Sequence, residues 1–141
     1  MAIDWISATA GFLLGAATTA VGTYFGNKYT AQREDGEAKR RLKNEFLGAK
    51  RQMSALISEL KADLGREDSD TVREFFVLPN RRVALGGSSQ RRFVYYEDEH
   101  DNLLGKIAIL ENKGFVHDVT PGNAPVFRMT EEFIECLRRY G

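Results

Sequence analysis

DNLLGKIAILENKGFVHDVTPGNAPVFRMTEEFIECLRRYG, residues 101–141, carries the sharpest structural signals in the chain. Leu103, Leu104, Ile107, Ala108 and Leu110 recur at helical spacing, and Gly114 follows as a natural residue just past a helix end. Phe115-Val-His-Asp-Val119 then reads as a strand. Thr120-Pro-Gly-Asn-Ala-Pro125 is a turn cluster, and Val126-Phe-Arg-Met129 is the return strand. Thr130 is placed to cap a last helix, whose first turn carries Glu131 and Glu132 and whose end carries Arg138 and Arg139. Phe133, Ile134, Leu137 and Tyr140 form its apolar face.

Upstream the signals are weaker. Arg66-Glu-Asp-Ser-Asp70 reads as a polar linker after a helix ended by Gly65. Thr71-Val-Arg-Glu74 has capping-box spacing, so residues 71–78 are expected to be a short helix stopped by Pro79. Phe93-Val-Tyr-Tyr96 reads as a strand, and Val83-Ala-Leu85 as a short one. Between them lies the loop Gly86-Gly-Ser-Ser89. Further back, Leu42, Phe46, Ala49, Met53, Leu56, Ile57, Leu60 and Leu64 describe the apolar face of an amphipathic helix. A bend is expected near Gly36, in the polar patch Arg33–Glu37.

The N-terminal 5–27 segment has 23 residues without a charge. As a helix it is about 34 Å long at 1.5 Å per residue, enough for a bilayer core of about 30 Å. Only eight of these residues are large and apolar or aromatic, and most of the others are Ala, Gly, Ser and Thr. The basic residues Lys28, Arg33, Lys39, Arg40, Arg41 and Lys43 come after it, which argues against a cleaved signal peptide. They predict a single-pass anchor in an inner or plasma membrane, N-terminus outside and C-terminal domain cytoplasmic. Gly11 and Gly15, and then Gly22 and Gly26, are spaced four apart on one face. That face suits close helix association, hence a homo-oligomer.

The expected organisation is therefore an anchor over 1–29, an amphipathic connecting helix over 30–65 and a small α+β domain over 66–141, in a mainly α chain. Residues 101–141 resemble the second half of a winged-helix domain. Leu110-Glu-Asn-Lys-Gly-Phe-Val116 closes a helix, a hairpin wing follows, and Thr130-Glu-Glu-Phe133 opens the terminal helix. The resemblance implies a winged-helix-like fold for the C-terminal domain. No upstream helix–turn–helix is evident, so DNA reading is the weaker implication. In layout alone, the chain is similar to phage superinfection-exclusion membrane proteins.

Composition narrows the chemistry. With 141 residues, 20 basic and 20 acidic side chains, the chain is neutral and fits about one domain. Residues 1–61 carry nine basic and six acidic groups, and residues 62–141 carry 11 and 14. A single cysteine, Cys136, excludes an internal disulfide framework and a multi-cysteine zinc site. His100 and His117 have no Ser or Cys partner at a recognisable spacing. Glu97-Asp-Glu-His-Asp101 lacks the pattern of a calcium loop and reads as a solvated helix start. No catalytic, cofactor or metal site is expected, and the protein is not expected to be an enzyme. The doublets Arg81-Arg82 and Arg91-Arg92 flank the glycine loop and are the candidate contacts for an anionic partner. The loop itself lacks the P-loop pattern.

The expected function is that of a small membrane-anchored interaction or regulatory protein, with phage exclusion or defence as one version and an unidentified protein as partner. A membrane-tethered winged-helix DNA regulator is the first alternative. A structural or virion-associated protein with a packed Gly/Ala helix is the second.

Overall fold

The computed structural model describes residues 2–83 and 91–141, with side chains from Gly26 onward. The chain divides into two compact units, Met1–Leu42 and Lys43–Gly141. Helix α1 runs Ala2–Gln52. In the first unit its described side chains are exposed from Gly26 to Arg41. Gly36 does not interrupt it, because a single glycine costs only about 1 kcal/mol relative to alanine. The expected anchor, 1–29, and the first part of the expected connecting helix, 30–65, lie along this one helix.

The membrane assignment is corrected at the same point. Among the described residues no helix is long and apolar enough to cross a membrane. Downstream of Gly26, charged residues recur within every turn or two from Lys28 to Lys43, and the small residues before it contribute little transfer energy. The single-pass, N-out/C-in placement in an inner or plasma membrane is accordingly not supported. The side chains around Gly11, Gly15 and Gly22 lie outside the described residues. At Gly26 an added Cβ meets nothing within 4 Å.

In the second unit the expected apolar stripe is the core. Phe46, Ala49, Met53, Leu56, Ile57, Leu60 and Leu64 are all buried. The stripe spans the end of α1 and α2 (Ser54–Leu64), with Met53 between them at φ −139° and ψ 50°. Helical bonding passes through this kink, since Met53 N–H donates to Ala49 O at 3.0 Å and Ile57 N–H to Met53 O at 3.1 Å. Phe46 reaches Phe133 and Phe115, at centroid distances of 6.0 and 6.2 Å, and those two rings stack on each other at 5.1 Å.

The largest correction concerns residues 71–78. Glu74–Leu78 is not a helix but strand β1. It pairs in parallel with β2 (Phe93–Tyr96) and antiparallel with β4 (Val126–Met129), whose other neighbour is β3 (Val116–Asp118), giving the order β2-β1-β4-β3. Phe-Phe-Val-Leu is rich in strand-forming residues, and as a central strand its backbone is bonded on both sides. The capping-box spacing is a local preference that these two ladders override. The class is α+β with a four-stranded mixed sheet, in place of a mainly α chain with a transmembrane helix.

Alternation along the strands sorts the side chains. Phe75, Val77, Tyr95, Phe127 and Met129 share the face turned to the helices and are buried. Glu74, Phe76, Val94, Tyr96 and Arg128 belong to the opposite face. Helix α3 (Leu103–Asn112), the β3–β4 hairpin and helix α4 (Glu131–Tyr140) form where the sequence puts them. Gly114 takes φ +76°, and the Thr130 hydroxyl accepts the Phe133 N–H at 3.2 Å.

Candidate anion-binding cleft

The outer face of the sheet carries a cross-strand charge cluster. Glu74 opens β1 opposite Arg128 of β4, and Arg92 immediately precedes β2. The Glu74 carboxylate accepts from Arg92 Nε at 2.6 Å on one oxygen. Its other oxygen accepts from Arg128 Nη2 at 2.6 Å and Nε at 3.1 Å. Its side chain is only 12% exposed. Burial alone raises such a carboxyl, but the hydrogen bonds and charges of Arg128 and Arg92 outweigh it and hold Glu74 below the usual carboxylate range. The Arg92 guanidinium also lies over the Phe76 ring, 5.1 Å from its centroid.

Beside this cluster is an open cleft of about 420 Å³, lined by Thr71, Val72, Arg73, Glu74, Arg91 and Arg128. Three of its six lining residues are arginines, each from a different part of the chain. Arg73 lies just before β1, and its main-chain carbonyl accepts the Met129 N–H at 2.7 Å, which fixes it beside β4. Its side chain pairs with Glu131 at 2.6 Å and bonds the Asp70 carbonyl at 2.6 Å. Arg91 donates to the Asp68 carbonyl at 3.2 Å, and the Asp68 carboxylate is 3.9 Å away. Both acidic partners are exposed, Glu131 at 73% and Asp68 at 76%.

The four arginines expected from the sequence are therefore separated. Arg91 lines the cleft, and Arg92 anchors Glu74 at its wall. Arg81 pairs with Glu99 at 2.6 Å and covers the Tyr96 ring at 5.0 Å from its centroid. Arg82 is exposed, and its backbone N–H donates to the Asn80 side chain at 2.9 Å. The loop Gly86–Ser89 and the short strand at Val83–Leu85 fall largely in residues 84–90, outside the described residues. Sequence reading missed Arg73, Arg128 and Glu74. The one available signal was Arg128, a charge in the outward position of an otherwise apolar strand.

Three titratable groups away from the cleft are buried and bonded in the core, Asp63, Tyr95 and His100. Asp63 and Tyr95 are buried, and the Tyr95 hydroxyl donates to Asp63 Oδ2 at 2.8 Å while Arg66 pairs with Oδ1 at 2.9 Å. Burial first, and the Asp63 charge second, push the Tyr95 phenol far above its ordinary value. His100, expected among solvated carboxylates, is buried with its Nε2 2.5 Å from Glu59 Oε2. His117 is exposed, opposite Arg128. Burial raises the Cys136 thiol. Among the described residues no group of three or more His, Cys, Asp or Glu is placed to hold a metal ion.

Compared with protein-family models, curated proteins and solved structures, the chain matches none. The resemblance of residues 101–141 to half of a winged-helix domain gains no support from these comparisons.

Proposed function

We propose that residues 43–141 are a non-catalytic interaction module that binds an anionic segment of a protein partner through the arginine cleft. The observation that carries this reading is the convergence of Arg73, Arg91 and Arg128 on one concave surface. Guanidinium forks are suited to carboxylate and phosphate. Nucleic acid is the less favoured partner, because the chain is neutral overall and the acidic run Glu97–Asp101 adjoins the sheet.

Fluorescence anisotropy with the full chain tests the proposal. The probes are labelled acidic peptides, with and without phosphoserine, and labelled oligo-dT, at low and near-physiological salt. Saturable peptide binding that is lost in Arg73→Ala/Arg128→Ala and retained in Arg139→Ala supports it. Absence of peptide binding, or binding indifferent to the cleft substitutions, refutes it.

A further inference from the structure

The lining of the cleft specifies its ligand more closely than a negative charge alone. Among the lining side chains Arg73, Arg91 and Arg128 bring three positive charges and Glu74 one negative, an excess of two once the exposed partners Glu131 and Asp68 give way. A carboxylate supplies a single charge in one plane and is saturated by one or two guanidinium forks. A phosphate monoester supplies nearly two charges near neutral pH and three acceptor oxygens that diverge in space. It can accept from guanidinium groups arriving from separate elements.

The present ion pairs divide into two kinds. Glu131 and Asp68 are exposed, and exposed pairs of this sort contribute roughly 0–1 kcal/mol. An incoming dianion displaces them at little cost. Glu74 is different, because its half-buried carboxylate turns both oxygens toward Arg92 and Arg128. It bonds Arg128 twice and so holds that guanidinium in the lining of the cleft. Its own charge opposes an anion, and Arg92 and Arg128 offset that charge.

We propose that the cleft is a pocket for a phosphate monoester, presented by a phosphorylated side chain of a partner protein, with Glu74 as a positioning residue. The inference rests on the proposed role of the cleft in binding an anionic partner. Nucleic acid, which carries a row of diester monoanions, fits less well. A polyanion needs an extended basic track, and the chain as a whole is neutral, with the acidic run Glu97–Asp101 directly after β2.

The test is an NMR titration of arginine Nε–Hε signals in the full chain. The probes are inorganic phosphate, capped phosphoserine, capped glutamate and oligo-dT. Phosphate and phosphoserine should shift the Arg73, Arg91 and Arg128 signals in a saturable way, with capped glutamate at least about tenfold weaker. Phosphoserine binding should fall as pH drops below about 6, where the dianion takes up a proton and becomes a monoanion. Arg73→Lys/Arg128→Lys keeps the charge and removes the forks, and should weaken phosphoserine about tenfold, the value of one or more charge-assisted hydrogen bonds. Glu74→Gln should broaden or move the Arg128 signal before any ligand is added. No saturable shift with phosphate or phosphoserine overturns the proposal, as does oligo-dT binding more tightly than phosphoserine at the same three arginines. If glutamate peptides bind the cleft and phosphate does not, the phosphate assignment falls while the interaction module stands.

Discussion

Replacing Glu74 by alanine tests the charge cluster at its centre. The substitution removes three hydrogen bonds, one from Arg92 and two from Arg128. The two arginines are not equally dependent on it. The Arg92 side chain is 18% exposed, whereas that of Arg128 is 58% exposed and can turn to water. Losing a charge-assisted bond at a mostly buried position costs about 1.5–3 kcal/mol, and at an exposed one about 0.2–1 kcal/mol. Glu74→Ala should therefore destabilise the Lys43–Gly141 unit by about 2–3 kcal/mol. Double-mutant cycles by urea unfolding should give a larger coupling for Glu74 with Arg92→Ala than with Arg128→Ala. A second arm uses pH. Glu74 has a folded-state pKa depressed below its unfolded value, so its contribution is present above the unfolded value of about 4.3 and is lost as pH falls through the folded one. Wild type should lose that share on acidification, and Glu74→Gln should lose less over the same interval. Equal couplings for the two arginines, or a cost below about 0.5 kcal/mol for Glu74→Ala, would refute the assignment of Glu74 as the anchor of the cluster.

Tyr95→Phe leaves Asp63 buried with Arg66 as its remaining side-chain partner and should cost about 1–2 kcal/mol in chemical unfolding, with near-native circular dichroism. Gly114→Ala and Gly36→Ala should differ in sign. Neither added methyl meets an atom within 4 Å, but Gly114 is at φ +76° and should cost about 1 kcal/mol, while Gly36 is helical and should gain about 0.5–1 kcal/mol of helix stability. Unfolding midpoints for the first and helical ellipticity on heating for the second provide the check.

The elements legible in advance were those with a local cause. Thr130 ahead of Glu131 and Glu132, Gly114 after Leu110, and the 120–125 turn between two apolar runs each state their own structure within a few residues. Strand β1 was not legible for the same reason. Thr71 and Glu74 satisfy a local helix-start pattern, but the groups that claim Glu74 are 18 and 54 residues away. Local propensity is a fraction of a kcal/mol per residue, and a central strand bonded on both sides outweighs it. The uncharged N-terminal segment shows the opposite hazard. Length without charge read as a membrane span, although only eight of its 23 residues are large and apolar or aromatic.

For the candidate site, the sequence determined the supply of arginines and the apolar stripe from Phe46 to Leu64 that builds the core beneath the sheet. It also determined that Arg128 stands outward, because a strand of period two cannot turn Val126 and Arg128 to one face without turning Phe127 and Met129 to the other. Which arginines meet was decided only by tertiary structure. Arg81 and Arg82 were singled out with Arg91 and Arg92 by adjacency along the chain, yet Arg81 is taken by Glu99 and Tyr96. Arg73 and Arg128, 55 positions apart, come together because β1 and β4 pair in one register. That register is fixed by burying Phe75 against Phe127 at 5.7 Å on the core face, and it sets Glu74 opposite Arg128 at the wall of the cleft.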